Sequence, residues 1–170
     1  MDTLGEGAFL RLRRKGRWEY VERVNATGVV AMLAITDDDE VILVEQFRPA
    51  VGQNVLELPA GLVGDVEGDD SMEAAANREL EEETGFRAAE VTPLVEIPSS
   101  AGLTTETTVL YRCSGLTRVG EGGGDETEDI LVHLVPRADV AAFVAGWKGL
   151  IDGKVFAGLY HAGVHGIPAP

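Results

Sequence analysis

The sequence predicts an α+β layered fold. Three observations carry that expectation. Short apolar runs bounded by turn-forming residues recur through most of the chain. One central segment, from Ser71 to Thr84, has helical periodicity. Further helical segments come only after Pro136 and Gly153. At 170 residues the chain has the length of one domain, with enough apolar sequence for a core.

Taken in order, residues 9–13 and 18–24 predict two strands joined by a turn at Lys15-Gly16, an N-terminal β-hairpin. Its basic residues Arg11, Arg13, Arg14, Lys15 and Arg17 read as a solvated face. Thr27 to Thr36 is an apolar run suited to a buried strand; Asp37 to Glu40 is a turn, and Val41 to Phe47 the returning strand. Val55 to Leu58 predicts a short strand leading into Pro59-Ala60-Gly61. Asp70 or Ser71 caps the central helix, with Glu73 in its first turn complementing the helix dipole. Strands are expected at 91–97, 107–113 and 130–135, with a flexible acidic, glycine-rich loop at 120–128. A helix follows Pro136 to about Ala145, and a last one runs from Gly153 to His161. The expected division is an N-terminal extension, 1–24, and a main domain, 25–170.

The net charge of −15 opposes non-specific nucleic-acid binding, which needs a basic footprint. No run approaches the 18 apolar residues of a membrane span, and no secretory leader is visible. The single cysteine, Cys113, excludes an internal disulfide and fits a reducing, cytoplasmic location, as an inert buried thiol in a strand.

Residues 78–86, Arg-Glu-Leu-Glu-Glu-Glu-Thr-Gly-Phe, are the most informative stretch. Glu79, Glu82 and Glu83 share one helical face, and Gly85 stops the helix. Met72, Ala75 and Ala76 lie on the same face one and two turns earlier, so it begins apolar and ends acidic. Clustered carboxylates repel each other, and a hard divalent cation reverses the sign of that cost. Helical geometry alone leaves two readings open, a Mg²⁺ site and a solvated acidic face.

The wider spacing resembles the Nudix box, G-x5-E-x7-R-E-U-x-E-E-x-G-U with U apolar. Arg78-Glu79-Leu80, Glu82-Glu83, Gly85 and Phe86 fit its second half. In the first half Gly64 supplies the spacing and Asp70 stands at the Glu position; Pro59-Ala60-Gly61 matches the turn that precedes the box. The segments Val44 to Pro49 and Leu56 to Gly61 resemble the ADP-ribose and nucleotide-sugar pyrophosphatase branch. One branch marker departs: Ala101, in Ser100-Ala101-Gly102, stands where a proline is usual, which leaves other nucleoside diphosphate sugars open.

The resemblance implies a Nudix-type α/β/α sandwich with a mixed sheet. It implies Mg²⁺- or Mn²⁺-dependent hydrolysis of a nucleoside diphosphate sugar to a nucleoside monophosphate and a sugar phosphate. Glu79, Glu82, Glu83 and the Ala60 carbonyl are the implied metal ligands. Arg78 locks a neighbouring glutamate, and Arg48 contacts substrate phosphate, with Glu57 and Glu106 as further substrate-side candidates. Glu126, slightly favoured, or Glu128 supplies the water-activating base, with Glu82 in reserve. A homodimer paired through the N-terminal strands is implied as well. Two alternatives stand beside this reading: a house-cleaning hydrolase of nucleoside triphosphates or diphosphates, and a non-catalytic ligand sensor of the same fold.

Overall fold

A computed structural model describes residues 1–24, 26–64, 71–124 and 129–166. The chain begins with a three-stranded antiparallel sheet, β1 (Asp2–Glu6), β2 (Leu10–Lys15) and β3 (Trp18–Arg23), in that order. The expected hairpin is β2–β3, turned at Gly16 with φ 63°. The structure adds β1 on its edge, held by ion pairs from Arg11 to Glu6 and Arg14 to Asp2. The basic cluster thus has carboxylate partners of its own. Short polar β1, with Gly5 inside it, has no apolar alternation to announce a strand.

β4 (Gly28–Ala34) is the central strand of the main domain. It pairs in parallel with β9 (Thr107–Arg118) and antiparallel with β7 (Ala60–Val63), and β8 (Phe86–Pro98) completes that sheet beyond β9. A second sheet has the order β10 (Ile130–Pro136), β5 (Glu40–Arg48), β6 (Gln53–Glu57), β11 (Leu150–Ile151), the last pairing being parallel. Both sheets are therefore mixed. The two-residue β11 and the four-residue β7 are too short to give a periodic signal.

The apolar run of β4 is explained by burial on both faces. Ala31 and Leu33 point into a core shared with Val41, Leu43, Leu56, Leu58 and the helices α2 (Val140–Gly146) and α3 (Gly153–His161). Val30, Met32 and Ala34 point into the opposite core, filled by Ala75, Ala76 and Leu80 of α1 (Met72–Thr84). The result is helix, sheets, helices, the layering expected. Ser71 caps α1, its Oγ accepting from the Ala74 amide at 3.1 Å. Asp70, the alternative cap and a box position, lies outside the described residues, as does most of the loop before it. Cys113 is 1% exposed, and burial pushes its thiol up to about 12, so it is inert as expected.

Candidate active site

A cleft of about 580 Å³ opens between the carboxylate end of α1, the turn into β7, the ends of β3, β5 and β6, and the start of α3. Its walls include Ala60, Gly61, Arg78, Glu79 and Glu82 on one side, and Arg23, Arg48, Glu57, Glu106, Asp152 and Lys154 around the rest. The structure thus brings seven of the expected site residues into one cavity. Glu83 lies just behind it, 3% exposed.

Local structure explains the placement. The Pro59 carbonyl accepts from the Met32 amide at 2.8 Å, which fixes the turn beside β4. The Ala60 amide then donates to Glu83 Oε2 at 3.1 Å, tying the turn to α1. Glu79 lies directly over Gly61: a Cβ there would stand 1.9 Å from Glu79 Cδ, so a larger residue would displace the Glu79 side chain. Gly64 serves differently, with φ 80° in a turn against Thr27.

Charge is paired throughout the cleft. Arg78 reaches Glu79 Oε1 and Glu82 Oε2 at 3.0 Å each, and donates to the Leu62 carbonyl at 3.3 Å. Arg48 forks onto Glu57, its Nε 3.0 Å and 3.2 Å from the two oxygens while Nη2 closes on Oε2. Glu57 is 6% exposed, so its pairing with Arg48 is a largely buried, charge-assisted contact. Glu106 pairs with Arg23 at 2.8 Å, and Lys154 with Asp152 at 2.7 Å.

Among the described residues, no three His, Cys, Asp or Glu side chains converge as a ready metal cage. The donor set nonetheless suits a hard cation: carboxylate oxygens of Glu79 and Glu82 at the cleft wall, with Glu83 held behind them. The Arg78 guanidinium is the cation already among them, so a bound ion would share Glu79 and Glu82 with it.

Sequence reasoning missed Arg23, Thr108, Asp152 and Lys154 in the cleft wall. Asp152 had a findable signal: it is the N-cap of α3 and accepts from the Lys154 amide at 2.7 Å. Arg23 had none, since only the tertiary fold carries β3 to the cleft. The proposed base candidates Glu126 and Glu128 lie outside the described residues. In the segment before them, residues 119–124 bond to the end of α1.

Comparison with known proteins agrees with this geometry. The NUDIX domain model matches residues 26–156. The chain is 32% identical over 175 residues to an ADP-ribose pyrophosphatase of Mycobacterium tuberculosis, covering 99% of this chain and 81% of the relative. It is 44% identical over 155 residues to an ADP-sugar pyrophosphatase of Mus musculus, covering 85% and 67%. The crystal structure of an ADP compounds hydrolase superposes with a TM-score of 0.70 at 19% identity, over 95% of this chain and 88% of that one, a likeness of fold. Nudix hydrolases generally use divalent metal ions. With its box helix, its cleft and these relatives, the chain belongs to the NUDIX domain family and is a Nudix hydrolase.

Proposed function

We propose that this hydrolase cleaves the pyrophosphate bond of an ADP-ribose-like nucleoside diphosphate sugar. The products are a nucleoside monophosphate and a sugar phosphate. The observation that carries the reading is the pairing, in one cleft, of a carboxylate wall with Arg23, Arg48 and Lys154. Those cations suit a substrate with two linked phosphates, and the pyrophosphatase names of its relatives support the substrate class.

Glu79, Glu82, Glu83 and the Ala60 carbonyl would hold Mg²⁺, or Mn²⁺ in its place. When bound, the ion neutralises charge on the bridging phosphates. Arg48, aimed by Glu57, binds a phosphate oxygen. Arg78 keeps Glu79 and Glu82 in place. Glu126 or Glu128 takes a proton from water, which attacks phosphorus as the bridging P–O bond breaks.

Residues 1–24 form an extension beyond the main domain, 25–170, and we assign them to pairing two copies into a homodimer. Phe9 and Trp18 there are 72% and 63% exposed, apolar surface that a second copy would cover. Light scattering should give a dimer mass, and a monomer at micromolar concentration contradicts it.

The deciding experiment is a screen of nucleoside diphosphate sugars and nucleoside triphosphates with Mg²⁺, products separated by anion exchange. Turnover of a diphosphate sugar to monophosphate and sugar phosphate is expected. Faster turnover of triphosphates, or none of either, overturns the reading.

A further inference from the structure

The C-terminal end of α1 runs against helix electrostatics. The negative pole of the helix dipole lies where Glu81, Glu82 and Glu83 stand, and the last turn holds no basic residue. Arg78 and Arg87 answer the side chains of Glu82 and Glu81. The backbone carbonyls are answered from elsewhere. Val119 and Gly120 amides donate to the Gly85 carbonyl at 2.8 Å and 3.1 Å, Gly123 to Glu83 at 2.8 Å, and Gly124 to Glu82 at 3.1 Å.

That fit depends on glycine. Gly122, Gly123 and Gly124 have φ of 73°, 108° and 83°. A Cβ on Gly122 would stand 2.4 Å from the Thr84 carbonyl carbon and 2.7 Å from Gly85 N, backbone that cannot step aside cheaply. Reciprocally, a Cβ on Gly85 would stand 2.3 Å from the Gly120 oxygen. The segment is fastened at its start by Arg118, which donates to the Gly120 carbonyl at 3.3 Å and lies 5.9 Å from the Phe86 ring centroid.

We propose that residues 119–124 are a positioning clamp for the cation site: by holding the backbone of Glu82 and Glu83, they set the affinity for the divalent cation. This rests on the assignment of those glutamates under Proposed function. Four amide donors at the pole of the helix offset the charge that the carboxylates add there, and they keep the last turn wound. Outer contacts that orient ligands typically change metal affinity about 10–100-fold when lost.

The test is Mn²⁺ binding to the full chain, with free Mn²⁺ counted by electron paramagnetic resonance, beside thermal melting. Gly122→Ala should bind Mn²⁺ about tenfold or more weakly. Arg118→Gln should move in the same direction by less. Leu159→Ala, in the core under α3, should lower Tm and leave Mn²⁺ affinity unchanged. A folded Gly122→Ala that binds as the unaltered protein overturns the clamp, as does an equal loss in Leu159→Ala. If Gly122→Ala does not fold, Arg118→Gln decides, and unchanged affinity there overturns the clamp. Failure of the unaltered protein to bind Mn²⁺ would overturn the metal assignment, and the clamp with it.

Discussion

At its N-terminal end α1 follows the ordinary rules of a stable helix: Ser71 caps it, Glu73 complements the dipole, and Ala75, Ala76 and Leu80 fill the core. Its last turn does the reverse, gathering carboxylates at the negative pole with no basic residue among them. The first end is explained by packing alone. The second draws on Arg78 within the helix and on partners from outside it: the turn at Ala60, the residues 119–124, and on our proposal a divalent cation. Substitutions at the two ends should therefore fail in different ways.

The largest effect is expected at the acidic end. Glu83→Gln keeps the size and an acceptor for the Ala60 amide while removing a charge, and should lower kcat on the order of 10² or more. Near-normal turnover at saturating Mg²⁺ would remove Glu83 from the metal set. Leu80→Ala, one turn earlier and fully buried, should instead cost about 2–5 kcal/mol of stability, read from denaturant unfolding. A smaller loss would mean that the core under α1 collapses onto the gap.

The difference between the two ends also divides what was legible in the sequence. The core helix was readable because Met72, Ala75 and Ala76 repeat with helical period, and β4 was readable as a continuous apolar segment with β5 returning after a turn. The carboxylate set was readable because its spacing is local. Lys154 and Arg23 reach the cleft through parallel pairing of β11 and through the N-terminal sheet, contacts between residues far apart in sequence. The docking of residues 119–124 against α1 had no signal in the sequence for a related reason. Glycine composition suits mobility and close backbone approach alike, and only the carbonyls at the end of α1 decide between them.

Smaller effects sharpen the stable end. Ser71→Ala should cost about 1 kcal/mol and leave kcat unchanged, since the cap touches nothing in the cleft. A fall in kcat would couple the cap to the site. The Glu73 carboxyl is held below its ordinary value of 4.5 by its own backbone amide, then by Ser71 and Tyr111. Its folded pKa is lowered, so its contribution is present above the unfolded value and is lost as pH falls through the folded one. Glu73→Gln should therefore lower stability at neutral and basic pH, leave the most acidic end unchanged, and so flatten the acid limb of a stability–pH profile; an unchanged acid limb would contradict it.

If the charge gathered at the end of α1 awaits a cation, melting the unaltered protein and Glu83→Gln with Mg²⁺ and with chelator will show it. Mg²⁺ should raise Tm in the unaltered protein by binding the folded state, and the rise should shrink or vanish in Glu83→Gln. An equal rise in both proteins, or none in either, would contradict it.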